Sequence, residues 1–167
     1  MESGEKSFNN EGQQKPNEKG TGEKSFDVSK LRPYTKENLP KDALFLPALM
    51  RKPGPNTEYI LGEEWIREEF KEGRSSFVCI KKQDGNYEIY PILGGYTETL
   101  MRGQPDSYFA GGFIFTPFNN PDYFYVLKPA KGCLISEGMK FIEKGEILFG
   151  NEIDAKEEIK RRSENNK

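Results

Sequence analysis

Two alternating apolar runs separated by a short turn constrain this chain more than any other feature. Phe77-Val78-Cys79-Ile80-Lys81-Lys82 and Tyr87-Glu88-Ile89-Tyr90-Pro91-Ile92 read as strands, and Gln83-Asp84-Gly85-Asn86 lies between them. A loop this short, with an Asp-Gly step, makes an antiparallel hairpin the cheapest connection. Side chains alternate between faces along a strand. Phe77, Cys79 and Lys81 therefore share one face and Val78, Ile80 and Lys82 the other, while Tyr87, Ile89 and Pro91 oppose Glu88, Tyr90 and Ile92. Neither strand has a cleanly polar face, so both faces of the hairpin are expected to be partly covered. Most of the aromatic and β-branched residues fall in or near 77–134, and the core is expected there.

Other elements are placed around this hairpin. Glu63-Glu64-Trp65-Ile66-Arg67-Glu68-Glu69-Phe70-Lys71-Glu72-Gly73 reads as one short helix. Acidic residues open it, Ile66 and Phe70 sit four apart on one face, and Gly73 closes it. Gly94 and Gly95 end the second strand, and a third extended segment is expected over 96–102. Residues 103–122 read as a loop holding Tyr108-Phe109-Ala110-Gly111-Gly112-Phe113-Ile114-Phe115. That aromatic run is either an apolar contact surface or a hairpin folded back on the sheet. Residues 123–128 read as a strand. A short helix is expected within 129–143, with Leu134, Ile135, Met139 and Ile142 as its apolar positions, and a last strand over 146–149.

The ends differ from this centre in composition. Residues 1–30 are rich in Glu, Lys, Gly, Asn and Gln and bury too little apolar surface to offset the entropy of ordering. Gly4-Glu5-Lys6-Ser7-Phe8 recurs as Gly22-Glu23-Lys24-Ser25-Phe26, either a duplicated linker or two short anchors for a partner. Residues 31–57 form an extended arm punctuated by Pro33, Pro40, Pro47, Pro53 and Pro55. Its apolar stretch, Leu44-Phe45-Leu46-Pro47-Ala48-Leu49-Met50, is expected partly along the core and partly in a groove of another protein. Residues 151–167 are a charged tail, transiently helical, with little to pack against. The expected organisation is a disordered extension (1–30), the arm (31–57), a core domain (58–150) and the tail (151–167). The expected fold class is α+β: a small antiparallel β-sheet with one or two short helices, an extended N-terminal arm and disordered tails.

Composition narrows the function. The 167 residues carry 25 basic and 27 acidic side chains, which argues against bulk attraction to nucleic acid. There is no apolar run long enough for a transmembrane helix. Met1-Glu2-Ser3-Gly4-Glu5 opens a polar segment unlike a secretory signal, so the chain is expected to stay where it is made. Cys79 and Cys133 are expected as two buried thiols rather than a disulfide. The absence of histidine removes the commonest general base and metal ligand. No phosphate-binding Gly-Lys-Ser/Thr loop, zinc or iron–sulfur spacing or nucleophile elbow occurs. A non-enzyme with no cofactor of its own is the expectation. Lys81, Lys82, Arg102, Lys128, Lys131, Lys140 and Lys144 fall at expected strand or helix ends. Together they could form a positive rim that steers an acidic protein partner, or they are ordinary solvated lysines.

The order of features over 77–134 resembles the ferredoxin-docking peripheral protein of photosystem I, which lies on the stromal side of that complex. The matching set is the strand pair, then Gly94-Gly95, then Leu100-Met101-Arg102-Gly103, then the apolar strand of 123–128, then Lys131-Gly132-Cys133-Leu134. In that family the Cys-Leu pair opens a helix. The aromatic insertion of 103–122 and the short C-terminal segment depart from the family pattern, and suit a divergent relative in an anoxygenic, homodimeric type I reaction centre. The resemblance implies a peripheral subunit on the cytoplasmic or stromal face of a photosynthetic membrane. It would stabilise the iron–sulfur subunit and help dock soluble ferredoxin, an acidic carrier. Iron–sulfur clusters and chlorophylls would belong to the neighbouring reaction-centre subunits, over which the arm and tails would run. The alternative is a small soluble β-core binding module or regulator unrelated to photosynthesis.

Overall fold

A computed structural model describes residues 27–48, 59–93, 111–115 and 124–166. The strands are β1 (Tyr34–Thr35), β2 (Leu44–Leu46), β3 (Ile60–Gly62), β4 (Phe77–Lys81), β5 (Tyr87–Leu93), β6 (Phe113–Phe115), β7 (Phe124–Lys128), β8 (Ala130–Ile135), β9 (Gly138–Glu143) and β10 (Gly145–Phe149), followed by helix α1 (Glu152–Asn165). A seven-stranded sheet runs β2-β4-β5-β8-β9-β3, with β1 added beside β5, and a three-stranded sheet runs β6-β10-β7. Among the described residues only β1 with β5 and β6 with β10 pair in parallel. The architecture is a mostly antiparallel half-barrel with one C-terminal helix, an α+β domain dominated by strands.

The hairpin of β4 and β5 forms as its alternation predicts, with Phe77 opposite Pro91 and Lys81 opposite Tyr87. The Asp84 side chain accepts a hydrogen bond from Asn86 N at 2.9 Å, and Lys82 N donates to Asn86 O at 2.8 Å, which closes the turn. Pro91 is tolerated in mid-strand because the next residue supplies the bond to the neighbouring chain, Ile92 N donating to Ser76 O at 2.8 Å. Pro91 is also where β5 changes its other neighbour, from β8 (residues 87–89) to β1 (residues 92–93).

The two sheets are joined by one long bent hairpin. Its arms pair as β8 with β9 in the large sheet and as β7 with β10 in the small one. Both arms cross between sheets at the same level, at Pro129 and Lys144. The bend brings backbones so close that a Cβ on Gly145 would lie 2.5 Å from Ala130 N and 2.6 Å from Lys128 O. At the far end, Gly138 has φ +138° and a Cβ there would overlap the Leu61 carbonyl oxygen. Only glycine fits either position.

Folding the hairpin over makes the core. Leu46, Phe77, Ile89 and Met139 of the large sheet face Phe113, Phe124, Ile147 and Phe149 of the small one. Phe113 stacks on Phe77 with centroids 5.6 Å apart. Two smaller clusters lie on the outer faces. Ala43, Phe45, Val78 and Ile92, with Tyr34, Phe70 and Tyr90, cover one end of the large sheet. Val28, Tyr125, Leu148 and Ala155, with Ile159, lie beneath α1 on the small sheet. Both faces of the β4–β5 hairpin are partly covered, as its sequence implies.

Several expectations are corrected. The expected helix over 63–73 is a single 3-10 turn, Glu63–Trp65. Arg67 breaks it by exchanging backbone hydrogen bonds with Phe45 at 2.8 and 2.9 Å. Ile66 then packs toward the central core and Phe70 against Phe45 in the outer cluster, so one presumed helical stripe is divided between two faces. The expected helix within 129–143 is the β8–β9 hairpin, because Gly132 and Gly138 weaken a helix there and non-local pairing with β5 and β3 supplies the hydrogen bonds. The helix that the resemblance starts at Cys133-Leu134 is therefore a strand. The arm is not a free strap over its described residues: β2 is a strand of the large sheet, and Phe45 and Leu46 are buried. Order begins before residue 31, where Asp27 caps a 3-10 turn of Val28–Leu31 and Val28 is buried. The charged tail is a folded helix with an Asn151–Asp154 capping box. It is held by Ala155 and Ile159 and by Arg162, which pairs with Glu146 at 2.6 Å. Residues 1–26, 49–58 and 94–110, with Gly94, Gly95, Met101, Arg102 and Gly103, lie outside the described residues.

The corner gives the most direct test of this architecture. Gly145→Ala should lower the unfolding free energy by about 1–3 kcal/mol, read as a shifted urea midpoint with an unchanged slope.

Candidate docking face

One part of the large sheet's outer face has no apolar cover among the described residues. It spans the β5, β8 and β9 portion beyond the Phe45–Val78 cluster. Strand register decides which side chains meet there. Glu88 lies opposite Lys131, and Lys131 lies opposite Glu143. Lys82 follows the end of β4 and reaches Glu88 at 3.5 Å. Lys131 reaches one Glu143 oxygen at 3.6 Å, and Lys128, entering from β7, reaches the other at 2.5 Å. The result is a ladder of alternating charge across three strands: Lys82, Glu88, Lys131, Glu143, Lys128.

The other lysines named from the sequence take different positions. Lys81 and Lys144 are exposed and have no ion pair among the described residues. Lys81 lies opposite Tyr87 at the end of β4, and Lys144 stands at the sheet-to-sheet corner. Lys140 is half-buried on β9, with Cys133 opposite it on one side and Ile60 on the other. Arg102 lies outside the described residues. The structure thus brings Lys82, Lys128 and Lys131 onto one face in two ion-pair groups, leaves Lys144 at the corner beside them, and puts Lys81 on the opposite face with Tyr87. Sequence reasoning missed Glu88 and Glu143. No local spacing joins residues 82, 88, 128, 131 and 143; only the sheet register does.

The aromatic run behaves differently over its described part, 111–115. Phe113 is buried and stacked on Phe77, and β6 pairs with β10, so this part folds back on the protein rather than offering a contact surface. Ile114 is exposed. Residues 108–110 lie outside the described residues.

The electrostatics follow from these contacts. The hydrogen bond from Lys128, the Lys128 charge and the nearby Lys131 hold the Glu143 carboxyl below its ordinary range. Burial, then the hydrogen bond to Glu88, raises the Tyr90 phenol; its hydroxyl donates to Glu88 Oε1 at 2.8 Å. Under the sheet, burial raises the Cys79 thiol strongly. Cys133 is only half-buried, and both thiols are free, so one of the two expected buried thiols is partly accessible. Among the described residues no three Cys, Asp or Glu side chains gather as they would around a metal ion, and no helix is long and apolar enough to cross a membrane.

Compared with known proteins, the chain matches no family model, no curated protein and no solved structure.

Two outcomes are expected. A folded sample should show one thiol, Cys133, reacting quickly with an aromatic disulfide reagent, and Cys79 should react only on unfolding. The depressed Glu143 pKa means that its contribution to stability is present above the ordinary glutamate value of 4.5 and is lost as pH falls through the folded value. The stability difference between wild type and Glu143→Gln should therefore be flat at neutral pH and shrink on acidification below 4.5.

Proposed function

We propose that this chain is a non-catalytic docking protein that presents its lysine-bearing sheet face to an acidic protein. The observation carrying this reading is the convergence of Lys82, Lys128 and Lys131 on one sheet face, flanked by the exposed Lys144. With the backbone already fixed by the sheet, binding has only the lysine side chains to order, and their field speeds encounter more than it adds to affinity. The particular setting is drawn from the resemblance over 77–134. In it the chain is a peripheral subunit on the cytoplasmic or stromal face of a type I reaction centre, steadying the iron–sulfur subunit and helping to orient ferredoxin. The clusters and chlorophylls belong to its neighbours, and the chain itself carries no cofactor.

A second reading has its own support. The described part of the arm and the C-terminal helix pack on the protein's own sheets, which favours a self-sufficient binding module outside any membrane complex. Such a module would show strong amide protection in β2 and α1 when purified alone. A reaction-centre subunit would gain protection there on assembly.

The setting is tested by solubilising native photosynthetic membranes and looking for this chain in the reaction-centre complex; its absence sinks that setting. The docking role is tested separately. Reversing Lys81, Lys82 and Lys131 to Glu should slow ferredoxin reduction at low salt, with the difference fading as salt rises. An unchanged rate would remove these lysines from the role.

A further inference from the structure

Two β-bulges, one on each side of the corner, make the lysine–glutamate cluster. On β9, Glu143 lies opposite Lys131 while Phe141 lies opposite Gly132, so Ile142 is one residue too many. In regular alternation Glu143 would share the face of Phe141, which packs against the central core. The bulge turns Glu143 to the outer face instead. On β7, Lys128 lies opposite Glu146 while Val126 lies opposite Ile147, so Leu127 is the extra residue. Lys128 then reaches the same carboxylate across the corner. The two Glu143 oxygens are divided between two lysines from different strands.

We infer that Glu143 is an internal competitor, occupying the position between Lys128 and Lys131 that a carboxylate of the acidic partner takes on docking. The inference rests on the docking reading above. Docking is then an exchange of one carboxylate for another. A lone acidic group gains nothing from the exchange, because it offers these lysines only what they already have. A surface dense in carboxylates does gain, since it can also reach Lys144, which lies beside Glu143, is exposed and has no ion pair among the described residues. Glu143 therefore sets a threshold of acidity, raising discrimination at some cost in affinity. The exchange is easy because Glu143 is exposed and solvent-screened ion pairs of this kind are weak.

The test titrates the full-length chain with a plant-type ferredoxin and, separately, with a deca-glutamate peptide, at low salt. Glu143→Gln should tighten binding about two- to fivefold, the range expected for one exposed ion pair. Glu137→Gln makes the same change in net charge at the exposed Ser136–Glu137 turn and should have a smaller effect. In a Lys128→Ala, Lys131→Ala background, Glu143→Gln should have no larger effect than Glu137→Gln, which isolates the pairwise coupling. Thermal melting checks that each variant is folded. If Glu143→Gln and Glu137→Gln act alike, or the larger effect of Glu143→Gln survives loss of both lysines, the competitor is overturned and docking stands. If Lys131→Glu leaves wild-type binding unchanged, the docking reading falls. Binding of neither probe by any variant overturns both.

Discussion

Everything else in this fold depends on a close backbone approach at one corner. The arms of the long hairpin turn together from the large sheet into the small one, and at Gly145 the chains come too near for a Cβ. If that bend were relaxed, the inner faces would no longer meet. Phe113 could not stack on Phe77, and Ile147 and Phe149 would lose the opposing Ile89 and Met139. The corner also seats β6, since Gly145 N donates to Gly112 O at 2.9 Å. A sheet that turns a corner in this way buries its core between its own two halves, which lets a chain with few apolar residues form a dry interior.

The same geometry explains how the outer faces are used. A sheet bent over itself still has two outsides, and each is covered in part by a segment from near one end of the described structure. The arm residues around Phe45 cap the large sheet, and α1 with the Val28 turn caps the small one. Arg32 joins that second cap to the sheet, donating to Phe124 O at 2.8 Å and lying over the Tyr125 ring. What stays uncovered among the described residues is the middle of the large sheet, where Lys82, Glu88, Lys131, Glu143 and Lys128 gather. Exposed ion pairs add little to stability, so the Lys82–Glu88 and Lys131–Glu143–Lys128 contacts matter more for what the face presents than for holding it together.

The proposed role fits a surface of this kind. A hydrogen-bonded sheet fixes the backbone beneath its lysines, whereas lysines on a loop would have the backbone to order on binding as well. Interleaved carboxylates keep the face nearly neutral overall, so it avoids indiscriminate attraction while still offering cations to a densely acidic partner. The β-bulges at Leu127 and Ile142 fit the same logic: each breaks regular alternation at the point where a charged side chain has to be aimed.

Local features are legible in the residues alone. The β4–β5 hairpin, its turn, the assignment of its faces and the last strand all follow from period-two alternation and an Asp-Gly step, because neighbouring residues supply the information. The helices read over 63–73 and within 129–143 did not form, although their apolar spacings suit a helix. Phe45 takes the backbone of Arg67, and β5 and β3 take the backbones of β8 and β9, so distant partners outweighed local propensity. The tail's own residues show little to pack against, because Val28 and Tyr125, which share a cluster with Ala155, are far away in sequence. The lysines were visible as residue types, but the carboxylates between them were not. Glu88 and Glu143 reach those lysines only through strand register and one extra residue in β9, and register is settled when the whole sheet closes.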